Sequence, residues 1–215
     1  MTPRQVAIAK ALVWASCLVP LAWIVIRGFE LGGTNLGPNP VEMVLLTFGK
    51  TGLNLLLITL CVTPARRLTG LGWLVRLRRL LGLFAYFYLV LHFTTYAVLD
   101  LRLDWSTLLV DISERPYITV GMLALLGMSV LAATSTNNIQ RRLGRRWVTI
   151  HRLIYPISVL AIVHFLWQAK SDFEPEPWVY ATLLAVLLAY RLAHWLRAAR
   201  ARKSAGDGDR GAAAL

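Results

Sequence analysis

The sequence has few acidic residues and very few cysteines. Its 215 residues include 11 Asp and Glu against 23 Lys and Arg, and Cys17 and Cys61 are its only cysteines. Because these two cysteines are isolated and form no CxxC motif, they argue against a disulfide framework or a cysteine-rich metal centre. We predict that both are small apolar residues buried in helices. The chain also has no G-x-G-x-x-G motif after a strand, which argues against a soluble nicotinamide- or flavin-binding domain.

Long apolar stretches dominate what the sequence does contain. Hydrophobic residues make up 57% of the chain, its mean hydropathy is +0.57, and several stretches approach the roughly 20 residues that span a bilayer. The stretches predict an all-α integral membrane protein, a bundle of six transmembrane helices at about residues 7–26, 41–62, 80–99, 117–133, 147–167 and 178–196. Residues 1–197 form one membrane domain in this interpretation, and the polar tail at 198–215 is predicted to be disordered. We find no internal repeat in the sequence.

The charged residues alternate between the segments that join these spans. Arginines concentrate in the segments 63–79 and 135–146, whereas the acidic residues that follow the third and fifth spans are Asp100, Asp104, Asp111, Glu114, Asp172, Glu174 and Glu176. By the positive-inside rule, this alternation places both termini in the cytoplasm. Because the basic residues lie between apolar spans, membrane topology explains the net charge of +12 better than nucleic-acid binding does. Arg4 and Lys10 precede the first span and no A-x-A cleavage site follows it, so we predict an uncleaved signal anchor.

Two of the four histidines, His92 and His164, lie inside apolar spans. A polar side chain in a span is costly, so it indicates either a functional site or a hydrogen bond to a neighbouring helix. Measured from the outer ends of their spans at 1.5 Å per residue, the two histidines lie within roughly 3 Å of the same depth, whereas measured from the inner ends they differ by about 8 Å. Because neutral imidazole is a common axial ligand of heme iron, the pair predicts a b-type heme between the third and fifth spans, in the outer half of the membrane.

The other two histidines lie toward the inner ends of their spans. His151 lies about 20 Å from His164 along the helix axis, and its partner on the third span would stand near residue 78, where the sequence has Arg78 and Arg79. Because arginine stays protonated, it is not a routine iron ligand, and we predict one heme rather than two. Two interpretations of His151 stay open: it binds an anionic group such as a heme propionate or a flavin phosphate together with Arg78 and Arg79, or it is an ordinary residue of the inner interface. We interpret His194 as an interfacial residue.

Three stretches of the sequence resemble a known family. RRLLGLFAYFYLVLH, RPYITVG and QRRLGRRWVTIHRLIYPISVLAIVHFLW resemble the heme-binding membrane subunits of bacterial periplasmic methionine sulfoxide reductase systems, and the shorter GKTGLN and TPARR segments are also similar. That family is a branch of the ferric-reductase-like transmembrane superfamily, which includes the NADPH oxidases. The resemblance covers nearly all of the chain except the tail.

The resemblance implies a six-helix cytochrome of the bacterial inner membrane with one heme b, whose ligands match His92 and His164. A further histidine that is important in the family matches His151, and the superfamily's paired histidines for two hemes are interrupted here at Arg78. The resemblance also implies FMN as a cofactor, electrons from quinol or a cytosolic flavin reductase, and a periplasmic molybdopterin methionine sulfoxide reductase as the acceptor. On this interpretation the chain is an electron-transfer subunit rather than a stand-alone catalyst.

Other functions compete with this one. A ferric or cupric reductase-type cytochrome uses the same heme, but it needs a nicotinamide or flavin domain that the sequence does not show. A small membrane transporter is the alternative from another class, yet the spans contain essentially no carboxylate and no inverted repeat. A structural scaffold has no use for aligned intramembrane histidines. The basic segments are expected to attract membrane lipid, a flavin phosphate or a reductase, and the acidic segments to guide a partner outside.

Overall fold

The computed structural model describes residues 2–169 and 175–212, with side chains to Arg200, and this part of the chain contains helices but no strand. The α-helices in chain order are α1 Pro3–Gly28, α2 Pro40–Thr69, α3 Arg78–Thr95, α4 Trp105–Glu114, α5 Pro116–Ala133, α6 Asn137–Leu143, α7 Arg145–His151, α8 Ile154–Gln168 and α9 Pro175–Ala212. Short 3-10 helices lie at Leu31–Gly33 and Gly72–Leu77, and a π-helical turn lies at Tyr96–Asp100.

Six helical segments are long and apolar enough to cross a membrane: Arg4–Gly28, Pro40–Thr69, Gly72–Asp100, Pro116–Ala133, Arg145–Gln168 and Pro175–Arg200. The prediction of an all-α bundle with six spans is therefore confirmed. We call the end that carries the segments 63–79 and 135–146 the basic end, and the end that carries the segment 100–115 the acidic end. The predicted acidic residues Asp172 and Glu174 lie outside the described residues.

Helix α2 forms the centre of the bundle. Its side chains Leu56 and Leu60 are fully buried, and α3 packs along it at short range. A Cβ atom at Gly52 of α2 would lie 2.9 Å from Leu89 of α3, so a larger residue there would force the Leu89 side chain to shift. Helices α5 and α8 approach each other in the same way. The bundle core therefore consists of two close helix pairs, α2 with α3 and α5 with α8.

One tyrosine of the core is hydrogen-bonded to helix α1. The hydroxyl of Tyr88 on α3 donates to the carbonyl of Cys17, 2.6 Å away, and accepts from the backbone N–H of Leu21 at 3.2 Å. Both backbone groups flank Pro20, which has no N–H and so interrupts the hydrogen bonds of α1. The hydroxyl therefore satisfies polar backbone groups at a proline inside a membrane helix, where no water is available.

The fifth predicted span is a broken helix. Helix α7 ends at His151 and α8 begins at Ile154, because Pro156 has no N–H to bond the carbonyl of Arg152. At the acidic end, α4 is an additional helix in the segment that the sequence presents only as an acidic connection. Asp104 caps α4 by accepting from Ser106 and Thr107, and these hydrogen bonds lower the pKa of Asp104 to about 2.

The two cysteines differ in exposure. Cys17 is buried as predicted, but the prediction that Cys61 is buried is wrong, since it lies exposed on a face of α2 that no described helix covers. An exposed side chain on a membrane span faces lipid, where a small apolar residue is equally at home. Helix α9 runs to Ala212, past residue 197, where we place the end of the membrane domain. The separate tail stays a prediction.

Candidate functional site

A cavity of about 230 Å³ lies between helices α2, α3, α5 and α8. Its wall is mostly apolar and includes Leu45, Leu46, Leu53, Leu56, Leu89, Phe93, Ile118, Met122, Leu125, Ile157, Ala161 and Phe165. His92 and His164 enter this apolar wall, and the polar residues of the acidic end lie at one side of the cavity. The structure thus brings together the two histidines that the sequence singled out.

His92 is held by the helix next to it. Its Nδ1 atom lies 2.9 Å from the carbonyl oxygen of Leu45 on α2. Gly49, one turn further along α2, leaves room for the ring, because a Cβ atom there would lie 2.9 Å from the same Nδ1. A carbonyl only accepts hydrogen bonds, so Nδ1 of His92 carries the proton and donates it.

His164 is held in the same way by α5. Its Nδ1 atom donates to the carbonyl oxygen of Tyr117, 2.7 Å away, and a Cβ atom at Gly121 would lie 2.8 Å from that nitrogen. In both cases the histidine follows its carbonyl partner by 47 residues, and the glycine follows the carbonyl by four. The two helix pairs of the core therefore contain equivalent histidine sites, although we find no internal repeat in the sequence.

The backbone hydrogen bonds determine what each imidazole can do. A neutral imidazole that donates from Nδ1 has its lone pair on Nε2, and this is the nitrogen that a metal ligand needs. The hydrogen bond also fixes the orientation of the ring. Both histidines are therefore prepared as metal ligands by the helix backbone.

The distance between the rings fits one metal ion between them. The ring centres of His92 and His164 are 6.1 Å apart, and the ring planes are inclined by 80°. A metal bonded to an imidazole nitrogen on each side at about 2 Å separates the ring centres by about 6 Å. In the described part of the chain no three His, Cys, Asp or Glu side chains gather to hold a metal ion. Two protein ligands in an apolar cavity suit an iron that brings its remaining ligands in a macrocycle, as heme does.

Charged and hydroxyl groups close the cavity toward the acidic end. Lys50 forms a 2.5 Å salt bridge with Glu176 at the start of α9. Tyr96, in the π-helical turn, donates to the buried carboxylate of Asp111 on α4, and Arg115 binds the same carboxylate at 3.0 Å. Helix α4 is thereby fixed beside the cavity, whose polar lining also includes Asp100 and Gln168.

His151 lies apart from the cavity, toward the basic end. Its Nε2 atom is 3.2 Å from the hydroxyl of Thr134, and its ring stacks on Trp147 with centres 4.0 Å apart. The indole of Trp147 donates to the carbonyl of Thr134 at 3.0 Å. The charge of Arg78 is close enough to act on His151, whereas Arg79 donates to Asn137 on α6 at 2.5 Å. Arg78 therefore acts electrostatically on His151, while Arg79 is hydrogen-bonded to α6.

Several residues of this region escape notice in the sequence. Gly49 and Gly121 were not identified as part of the site, although each stands four residues after its carbonyl. Arg191 was also missed, because an arginine near the end of an apolar span resembles an interfacial residue. His194, three residues further on, is exposed, consistent with its interpretation as an interfacial residue.

The geometry describes two membrane-embedded histidines that could ligate one metal ion between them, and known proteins are similar in sequence to this chain. Residues 48–162 match the family described as Ferric reductase like transmembrane component. The chain therefore belongs to the ferric-reductase-like transmembrane family and is a multi-pass membrane protein. The match covers most of α2, all of α3 to α7 and the first part of α8, and it contains His92 but ends just before His164.

Three relatives extend the similarity to nearly the whole chain, and each has the name Protein-methionine-sulfoxide reductase heme-binding subunit MsrQ. The relative from Xanthomonas oryzae pv. oryzae (strain MAFF 311018) is 46% identical over 209 residues, which are 95% of this chain and 95% of the relative. The relative from Bordetella pertussis is 46% identical over 200 residues, covering 92% of this chain and 95% of the relative. The relative from Rhodospirillum rubrum is 43% identical over 198 residues, covering 92% and 93%. These matches confirm the family resemblance.

Proposed function

We propose that this chain is the heme-binding membrane subunit of a protein-methionine-sulfoxide reductase, a b-type cytochrome with one heme between His92 and His164. The observation that carries this proposal is the pair of imidazoles in one apolar cavity, 6.1 Å apart, each with Nδ1 bonded to a backbone carbonyl. The relatives are named as heme-binding subunits, which supports the proposal independently. The alternative is that the two histidines only join neighbouring helices by hydrogen bonds. It gives no role to the Nε2 lone pairs of two imidazoles that line an apolar cavity.

The chain itself contributes ligands, orientation and a dry environment. His92 and His164 bind the metal through Nε2, while Leu45 and Tyr117 hold the rings in place. The apolar walls of α2, α3, α5 and α8 exclude water, which favours the less charged state of the centre. When bound, the heme supplies a one-electron redox centre. No side chain of this cavity is assigned to bond-making on a substrate, so the proposed role is that of an electron-transfer subunit.

The proposed path crosses the membrane from the basic to the acidic end. In this proposal both termini and the basic end lie in the cytoplasm of a bacterial cell, and the six spans cross the inner membrane. The alternation of charge between connecting segments supports this orientation. Quinol or a cytosolic flavin reductase is the proposed donor, and a periplasmic molybdopterin methionine sulfoxide reductase is the proposed acceptor at the acidic end. Acidic residues on α4 and its flanks would guide docking of that partner.

FMN is the second proposed cofactor, at the basic end. One of the two sequence-based interpretations of His151 is that it binds an anionic group with Arg78 and Arg79, and the charge of Arg78 acts on His151. Arg79 instead lines an open basic depression with Lys10 and Arg76. Such a depression at the end of a membrane span suits the headgroup of an anionic lipid.

The visible absorption spectrum of the purified protein, oxidised and then reduced, tests the proposal. A sharp Soret band with resolved low-spin α and β bands after reduction is expected for iron with two imidazole ligands. A flavin shoulder that survives desalting supports FMN. A protein that stays colourless after expression with ample heme contradicts the cytochrome function and favours a transporter or scaffold.

A further inference from the structure

A partly buried arginine at the basic end is not explained by the heme site. Arg191 lies within the apolar segment of α9, and its guanidinium contacts two other helices. Nη1 donates to the hydroxyl of Tyr155 on α8 at 2.9 Å, and Nη2 donates to the carbonyl of Leu60 on α2 at 2.7 Å. The guanidinium also lies 5.3 Å from the centre of the Tyr155 ring. All of these partners are neutral, so none of the described residues that contact the guanidinium balances its positive charge.

The hydrogen bonds of Arg191 are also incomplete. Its Nε atom is buried and has no hydrogen-bond partner among the described residues. Buried polar groups in native proteins nearly always have a partner, and a charged donor without one is costly. An acceptor beside Nε is therefore missing from the described chain.

A second positive charge lies close to the first. The guanidinium of Arg78 on α3 is near enough to interact electrostatically with both Arg191 and Tyr155. The two ion pairs found in the described structure, Lys50–Glu176 and Asp111–Arg115, lie elsewhere. Two like charges repel strongly where the dielectric constant is low, and an anion between them converts this repulsion into attraction.

We propose that Arg191 and Arg78, together with Tyr155, bind a phosphate ester at the basic end of the bundle. A phosphate ester has several acceptor oxygens and carries one negative charge as a diester or nearly two as a monoester. These match the two guanidinium groups and the free Nε–H of Arg191. Two sources have this chemistry, the phosphate of FMN and the headgroup of an anionic phospholipid. The FMN source rests on the proposed function and assigns two residues, Arg191 and Tyr155, that its sequence-based site lacked. The lipid source does not depend on the proposed function.

Binding of FMN to the purified, delipidated protein in detergent tests this site. Quenching of flavin fluorescence gives the affinity for FMN and for riboflavin, which lacks the phosphate. We expect the wild-type protein to bind FMN more tightly than riboflavin. Arg191→Gln and Arg78→Gln should each lose roughly tenfold or more of the affinity for FMN, while their affinity for riboflavin should equal that of the wild-type protein. Arg197→Gln is the matched control, since Arg197 lies on the same helix but is exposed.

A second measurement identifies the source of the phosphate. Native mass spectrometry counts the phosphatidylglycerol molecules that remain on the protein after purification in a mixture with phosphatidylcholine. The site is assigned to the lipid if the wild-type protein retains phosphatidylglycerol, Arg191→Gln loses it, and neither FMN nor riboflavin is preferred. The proposal is wrong if the wild-type protein prefers neither FMN over riboflavin nor phosphatidylglycerol over phosphatidylcholine. It is also wrong if Arg191→Gln and Arg78→Gln bind FMN and phosphatidylglycerol as the wild-type protein does.

The folding of the variants is checked separately. Arg191→Lys keeps the charge and should retain more binding than Arg191→Gln, while size-exclusion profiles and heme spectra report whether each variant is intact. If Arg191→Gln fails to insert, Arg78→Gln decides the outcome. The heme spectrum depends on His92 and His164, so a failure of the cytochrome function and a failure of the phosphate site are distinguished.

Discussion

Gly121 lies so close to the imidazole of His164 that a side chain on the glycine would clash with the ring, since a Cβ atom on Gly121 would lie 2.8 Å from Nδ1. The glycine lets the ring reach the carbonyl of Tyr117 through the surface of α5. Gly49 does the same for His92 on α2. Neither glycine is required by its backbone conformation, since both lie inside regular helices. Each is required by the close approach of a side chain.

Alanine at either glycine should therefore weaken heme binding. In Gly121→Ala and Gly49→Ala the added methyl group displaces the imidazole from its carbonyl, at a cost of about 1–3 kcal/mol for overpacking. This corresponds to a roughly five- to 150-fold loss of heme affinity, measured as the heme-to-protein ratio and by heme titration of the apoprotein. Gly82→Ala is the control, because its Cβ would meet Thr59 at 3.8 Å, an ordinary contact. Unchanged heme affinity in both site variants would show that the carbonyl contacts are dispensable.

Removing either imidazole should remove the heme. We expect His92→Ala and His164→Ala to lose most of the bound heme while still inserting into the membrane, because iron keeps only one strong protein ligand. The reduced-minus-oxidised spectrum and the amount of membrane-inserted protein measure the two effects. His194→Ala, at an exposed position, should keep its heme. Normal spectra in both ligand variants, or equal loss in His194→Ala, would mean that the ligands are assigned wrongly.

Tyr88→Phe should loosen the attachment of α1 without touching the cavity histidines. The substitution removes the hydroxyl that serves both Cys17 and Leu21 beside Pro20, and one such hydrogen bond contributes about 1 kcal/mol. For a chain of this size the expected fall in melting temperature is about 2–4 °C, followed by circular dichroism in detergent. Tyr86→Phe on the same helix is the control, since no side-chain hydrogen bond of Tyr86 is found in the described structure. An equal shift in the two variants would assign the effect to the aromatic rings alone.

The orientation of the bundle can be measured directly. Alkaline phosphatase is active only outside the cytoplasm, so a fusion after Asp104 at the acidic end should be active and a fusion at the C-terminus inactive. Green fluorescent protein at the C-terminus should fluoresce. A fusion after Arg67 at the basic end serves as a second inactive site. The reverse pattern would overturn the cytoplasmic position of both termini.

The sequence predicted the features that depend on local composition. Six apolar stretches gave six spans, because hydrophobic length and charge alternation are written along the chain. His92 and His164 stood out because each is a polar residue in an apolar helix. Their shared depth followed from the rise per residue, and the structure brings the rings to 6.1 Å.

Features that depend on distant pairs could not be predicted. The partners of Arg191 lie 36 and 131 residues away in Tyr155 and Leu60, and no local pattern announces such a contact. Pro156 is a helix breaker in the middle of the fifth predicted span, but the sequence did not show where α7 would end and α8 begin. Helix α4 was missed because its acidic residues resemble those of a loop, although Asp111 is buried.

The carbonyl contacts of His92 and His164 have a consequence for assembly. Both rings are anchored to neighbouring helices by the polypeptide itself, so an inserted chain already presents its two Nε2 atoms across the cavity. Maturation of the proposed cytochrome then requires the prosthetic group to enter but no reorientation of its ligands. Insertion into the bilayer and cofactor delivery become separable stages, and a cell short of heme would accumulate a folded apoprotein ready to be filled.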